Sequence, residues 1–280
     1  MSLSILQISA THLGAEPTAP ISPGVYPWHR ASCLVESIRD WIADVAVPID
    51  FIVHTGDLVH RGHTPHDQGD STRKGIDLFQ SLAKPIHWVI GNHDHRSALK
   101  RNLSDTPGTP LTFEQDRWAY HFQVRGERVA ILDARASLDY DPQGEISQEQ
   151  LDNLQSLLDA TTEPISLFLH YPPIQLRCDW IDRTMLIRNG QTLHNLLCSF
   201  KHRIRGVFFG HVHRPTFTLR DGILYASCGS TTMHFPNWPG SMSAVISDDP
   251  IAFAQYIQLG DDGVFVKPQW LTLPARGTTE

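Results

Sequence analysis

At 280 residues the chain can bury one large core or two small ones, and with 41% hydrophobic and 19% charged residues it has an ordinary globular composition, without an apolar run of membrane-spanning length. A formal net charge of -7 gives no basic footprint for a nucleic-acid backbone, which favours a small phosphorylated substrate over a polymer. Cys33, Cys178, Cys198 and Cys228 form no C-x-x-C pair and read as reduced thiols, and Met1 to Gln7 do not make a secretory signal, so the expectation is a cytoplasmic chain.

Alternating residues over 3–9 predict a strand that empties into Ala10, Thr11 and His12, and the Pro- and Gly-rich 14–27 predicts an irregular connection. Helical spacing of Leu34, Val35, Ile38, Trp41, Ile42 and Val45 predicts a helix over 28–45, followed by a buried strand over 50–54. A second helix over 71–82 leads to a strand over 86–90, and this alternation implies parallel strands with helical crossovers. Hairpin strands over 118–124 and 128–132 turn through Gly126, and a helix over 147–158 starts at Ser147, with Gln150 at the capping-box position. Strands at 165–169 and 204–209 follow. Short hairpin-type strands are expected at 216–219, 223–226, 244–246 and 253–257. With no repeat or clear linker, the reading is one domain over 1–273 with a loose tail over 274–280.

Five strand ends run directly into His, Asp or Asn: Ala10-Thr11-His12, Gly56-Asp57, Gly91-Asn92-His93-Asp94, His170-Tyr171-Pro172 and Gly210-His211-Val212-His213. In an open sheet with crossovers the C-terminal strand ends share one edge, where ligands bind, so these groups can meet in space. Imidazoles, a carboxylate and an amide oxygen suit first-row divalent metals. Two such ions close together need a shared carboxylate, for which Asp57 is the natural choice.

In this order the motifs resemble the calcineurin-like metallophosphoesterases, whose pattern runs D-x-H, G-D, G-N-H-D, His before x-P, and G-H-x-H. The resemblance covers roughly residues 5–214 and departs from the pattern only at Ala10. It implies an α/β fold, a four-layer α-β-β-α sandwich of two mixed sheets. It also implies two divalent ions, of Fe, Mn, Zn or Co, one held by His12, Asp57 and His213 and the other by Asp57, Asn92, His170 and His211. His93 would sit beside the phosphate, aiding the leaving alkoxide, with Asn92 and His95 as further substrate contacts. Within the family the G-N-H-D and G-H-V-H forms look most like class III cyclic-nucleotide phosphodiesterases and glycerophosphodiesterases. The implied partner is a small phosphodiester, with no nucleic-acid polymer and no membrane, and the implied assembly is a homodimer. Phosphomonoester hydrolysis, nuclease activity and silent metal binding are the alternatives.

Ala10 stands where the resemblance expects an aspartate, and a methyl group cannot coordinate a metal, so the first site is weakened while the second keeps all four ligands. The expectation is a disabling substitution, because the other ligands are intact; natural divergence toward a silent protein is the alternative. Several other polar groups have plainer readings. His54 and His87 lie within strands and read as packed histidines, and His60, His63, His66 and Asp67 as a polar loop beside the site. Arg96 reads as a phosphate contact or a helix cap, His234, Phe235 and Trp238 as packing or as a pocket wall against a base or an acyl group, and 175–185 as packing, a lid or a dimer contact.

Overall fold

The computed structural model describes residues 2–14, 28–45, 48–60, 70–103, 106–114, 117–235, 239–242 and 252–271. The expected strand at 244–246, the tail, the connection beyond Gly14, and His63, His66, Asp67 and Trp238 lie outside the described residues.

The first half alternates as its periodicity predicts: β1 (Leu3–Ile8), α1 (Trp28–Asp44), β2 (Phe51–His54), α2 (Asp70–Gln80), β3 (Ile86–Trp88) and α3 (Arg96–Leu103). The rest comprises β4 (Thr109–Pro110), β5 (Tyr120–Val124), β6 (Glu127–Ile131), α4 (Gln148–Ala160), β7 (Ile165–Phe168), α5 (Asp179–Thr184), α6 (Gly190–Ser199), β8 (Ile204–Phe209), β9 (Thr216–Arg220), β10 (Ile223–Ser227), β11 (Ala252–Gly260) and β12 (Gly263–Leu271). Two mixed sheets result, ordered β12-β11-β1-β2-β3 and β4-β5-β6-β7-β8-β10-β9.

Alternation along the second sheet divides the cores. Val129, Ile131, Phe168 and Phe208 join the first sheet, α1 and α2 in one cluster, while Ala130, Leu132, Leu167 and Phe209 join α4 and α6 in another. Helices therefore cover the outer face of the second sheet, and α1 and α2 share the core of the first, as the α/β sandwich requires.

Local chemistry accounts for several joints. The β5–β6 turn places Arg125 at φ 50° and Gly126 at φ 82°, and the β9–β10 turn places Asp221 at φ 51° and Gly222 at φ 85°, the left-handed pairs that tight hairpins need. Ser147 caps α4 by accepting from the Gln150 backbone N–H at 3.4 Å. The Gln150 side chain does not close the capping box on the Ser147 backbone. Its oxygen accepts from the Asp133 N–H at 3.0 Å, and its amide donates to the Asp133 carbonyl at 2.9 Å.

Asp133 also holds the side chain of Arg96, whose partner lies in a loop of the other sheet. The guanidinium forks onto the fully buried Asp133 carboxylate at 2.7 and 2.8 Å. Burial pushes this carboxyl up, but the Arg96 charge and hydrogen bonds outweigh it and hold the carboxyl below the ordinary range. A depressed carboxyl stabilises the fold above its unfolded pKa and loses that contribution as pH falls through the folded value. We expect Arg96→Ala, which strands a buried charge, to cost about 3–5 kcal/mol at neutral pH, measured by urea unfolding.

Candidate metal centre

Register brings the motif residues together. Ile8 pairs with His54 and His54 with Trp88, so the ends of β1, β2 and β3 are flush, while Phe168 pairs with Phe208 at the ends of β7 and β8. The loops leaving these ends carry His12, Asp57, Asn92, His93, His170, His211 and His213 to one place. Tight approach of backbone makes this possible: a Cβ on Gly91 would run into Asp57 Oδ1, and one on Gly210 would run into Ser9 Oγ.

The loops are strained where they meet. Ala10, His12, Asp57, His211 and His213 all have positive φ, between 42° and 67°. Each such residue costs on the order of 1–3 kcal/mol and persists only where its surroundings enforce it. Asp94 is one enforcer: its buried carboxylate accepts from the backbone N–H groups of Asp57 at 2.8 Å, Gly91 at 2.9 Å and Leu58 at 3.0 Å. Burial and the neighbouring Asp57 charge raise the Asp94 carboxyl.

Asp57 is the centre of the arrangement. Its Oδ2 lies 3.2 Å from His170 Nε2 and 3.6 Å from His12 Nε2, and its Oδ1 accepts from the His93 backbone N–H at 2.9 Å. Two groups of converging donors share it: His12, Asp57 and His213, and Asp57, His170 and His211. Asn92 Oδ1 lies 3.3 Å from His170 Nε2, beside the second group.

Backbone carbonyls orient the imidazoles. His170 Nδ1 donates to Thr55 at 2.6 Å, His213 Nδ1 to Met233 at 2.8 Å and His211 Nε2 to Pro142 at 2.9 Å, which turns the other ring nitrogen of each toward the centre. Burial pushes His12 and His211 well below the ordinary histidine value and His213 to about 3, so all three are neutral at pH 7. Burial also penalises charge on His170, but Asp57 beside it prevails and raises it. Burial likewise works against the Asp57 charge, and His170 and His93 overcome it, holding the carboxyl well below its usual range.

These residues fit divalent cations. His12 and His213 bring two Nε2 atoms to 3.2 Å on neutral rings, and His12 Nδ1 is buried without a hydrogen-bond partner. A cation between the two Nε2 atoms would supply the charge that their lone pairs seek, and one beside Asp57 would compete with a proton on His170. Ala10 adds only a buried methyl group here; its carbonyl accepts from Ser230 Oγ at 2.8 Å and Thr232 Oγ1 at 3.2 Å.

The centre opens into a cavity of about 230 Å³ whose walls include Asn92, His93, Trp180, Met185, Met233 and Phe235. His93 Nδ1 donates to the His60 carbonyl at 2.7 Å, and the two rings stack with centroids 5.3 Å apart, so His60 positions His93. Phe235 stacks on His213 at 4.4 Å and meets the edge of Trp180 at 5.5 Å. From the sequence, packing is preferred for Phe235 and 175–185, with a pocket wall the alternative for Phe235; the structure puts Phe235, Trp180 and Met185 on the cavity wall, where aromatic and Met residues in a loop-rich stretch were the available signal. His95 is exposed, with Nδ1 2.9 Å from Ser97 Oγ, and does not line this cavity. His54 and His87 are packed as expected, His54 against Phe79 and Trp88, and His87 stacked on Phe122 at 4.0 Å. A larger cavity of about 650 Å³, between Pro173, Leu186, Arg188 and Leu219, contains none of the motif residues.

The family model for calcineurin-like phosphoesterases matches residues 3–215. A 3',5'-cyclic adenosine monophosphate phosphodiesterase of Pseudomonas aeruginosa is 28% identical over 263 residues, spanning 94% of this chain and 87% of the relative. That of Escherichia coli is 31% identical over 238 residues, spanning 82% of this chain and 77% of the relative. Among solved structures, a dimetal phosphatase from Danio rerio superimposes with a TM-score of 0.71 at 17% identity, covering 97% of this chain and 99% of that one, a likeness of fold.

Proposed function

This chain belongs to the calcineurin-like phosphoesterase family, and from that premise we propose that it hydrolyses a small phosphodiester of the cyclic-nucleotide type, with turnover held down by Ala10. The observation that carries this reading is the position of Asp57, which is shared by both donor groups and faces a cavity that also holds His93. His12, Asp57 and His213 would hold one divalent ion, and Asp57, Asn92, His170 and His211 the other. When bound, such ions supply Lewis-acid stabilisation of the phosphoryl oxygens and make water a better nucleophile at neutral pH.

The chain's own groups do the rest. His93, its Nδ1–H held by the His60 carbonyl, would as the imidazolium give its Nε2 proton to the departing alkoxide and be left as the neutral ring. Asn92 sits on the cavity wall, where its amide orients the ester. The aromatic edge formed by Trp180 and Phe235 gives a nucleobase a flat apolar neighbour. The supporting comparison is the pair of relatives named as cyclic adenosine monophosphate phosphodiesterases, each matched over most of its length.

The test is hydrolysis of cyclic AMP, an aryl phosphodiester and an aryl phosphomonoester by this chain and by Ala10→Asp, with added Mn²⁺. Preference for the diesters supports the reading, and monoester preference overturns it. No turnover by either protein, with metal bound, points instead to a silent metal-binding protein. If Phe235 flanks a nucleobase, Phe235→Leu in the Ala10→Asp background should raise KM for cyclic AMP by about tenfold relative to KM for an aliphatic diester, equivalent to losing one ring contact, since any loosening of His213 beneath the ring would affect both substrates alike. Steady-state kinetics on the two substrates makes the comparison.

A further inference from the structure

Outside the centre described above, α6 and the β9–β10 turn bring a second set of metal-type donors together. His194 and Cys198 are one helical turn apart on α6, and Asp221 comes from the turn, with its backbone at φ 51°. His194 Nε2 lies 2.9 Å from Asp221 Oδ2 and 3.5 Å from Cys198 Sγ, and the three donor atoms converge within 4.8 Å of one another.

The geometry points to a site for one thiophilic divalent cation, of the Zn²⁺ type, held by His194, Cys198 and Asp221. A Cys-His-Asp catalytic relay would place sulfur and carboxylate on opposite ring nitrogens, whereas here both face Nε2, the arrangement that suits a common ion. The opposite nitrogen, Nδ1, is 2.7 Å from the Tyr225 hydroxyl, which can accept its proton and orient the ring as outer partners of metal-bound histidines do. For a tetrahedral ion about 2.0–2.1 Å from nitrogen and 2.3 Å from sulfur, those two donors stand about 3.5 Å apart. The observed separation is 3.5 Å. The carboxylate is a few tenths of an ångström too close to the ring, and it sits on an exposed turn with 62% side-chain exposure, so it has room to withdraw. A thiolate and a carboxylate neutralise a divalent charge, and binding releases the thiol proton. An ion here would tie α6 to the β9–β10 turn.

Sulfur distinguishes this site from the other, whose donors are nitrogen and oxygen, so the inference does not depend on the phosphoesterase reading. The experiment is a Co²⁺ titration of the full chain after chelator treatment and thiol reduction. A thiolate-to-cobalt charge-transfer band should appear in the near ultraviolet, persist in Asp57→Asn and vanish in Cys198→Ser. Asp221→Asn should weaken it on the order of tenfold or more. Added Zn²⁺ should raise the Tm of Asp57→Asn but not that of Asp57→Asn with Cys198→Ser. Cys198 is half-buried in the last turn of α6, a position that accepts serine, and circular dichroism checks the fold. Absence of the band in the reduced wild-type chain, or its survival in Cys198→Ser, overturns the proposal and leaves a hydrogen-bonded cluster only.

Discussion

Replacing Asp57 by Asn should lower phosphodiester turnover by about 10³-fold or more and remove most of the bound metal, while leaving the fold intact. The isostere is informative because it isolates charge. The introduced amide would keep an oxygen for the His93 backbone N–H, which Asp57 Oδ1 accepts at 2.9 Å, and asparagine tolerates the left-handed backbone at φ 57°. What disappears is the negative charge that both donor groups share, and with it the influence that raises His170 against its burial. A 10³-fold loss corresponds to about 4 kcal/mol of transition-state stabilisation, within reach of a buried carboxylate that, on the proposed function, would serve two cations. Unfolding should change little in the metal-free protein, because losing this charge also relieves Asp94, whose carboxyl is raised by burial and by Asp57. Elemental analysis, urea unfolding and kinetics on one preparation separate the effects. Wild-type turnover by Asp57→Asn would remove Asp57 from the chemistry.

How far the site could be read in the sequence depends on the range of the forces that build it. The motif residues announce themselves because each follows an apolar strand, and the flush register at Ile8, His54 and Trp88 turns adjacency along the chain into adjacency in space. The helical stretches α1, α2 and α4 were legible for the same reason: their periodicity and the Ser147 cap are local. The hairpin character of 253–257 is local and holds, since β11 turns directly into β12, but the pairing of β11 with β1, which joins Leu3 to Leu259, is long-range and leaves no trace near either strand. Arg96 illustrates the same limit, since its partner Asp133 is 37 residues away and belongs to the other sheet's loops. The cavity wall of Trp180, Met185 and Phe235 is assembled from a short helix and a loop that carry no periodic signature.

The second large effect concerns Ala10. Introducing aspartate there should raise affinity for a second equivalent of Mn²⁺ and increase diester turnover by about 10²-fold, since even an outer-shell partner is worth roughly 10- to 100-fold in metal affinity or activity and a direct ligand should match that. The backbone argues for the change independently of the resemblance. Ala10 sits at φ 50°, where a Cβ crowds the following carbonyl and costs roughly 1–2 kcal/mol, a conformation Asp enters more readily because its short polar side chain bonds locally. The loop is nevertheless held in place: the Ala10 N–H donates to the Gly56 carbonyl at 3.0 Å, and its carbonyl accepts from Ser230 and Thr232. Aspartate at this position would therefore meet a backbone already in the region it tolerates better than alanine does. Without metal the new carboxylate would be a buried charge near Asp57, so Ala10→Asp should be less stable than this chain in chelator and regain stability as Mn²⁺ is added. Thermal unfolding with and without Mn²⁺ reads that crossing. A variant insensitive to Mn²⁺ in stability and rate alike would mean that Ala10 is native to a centre which never held a second ion.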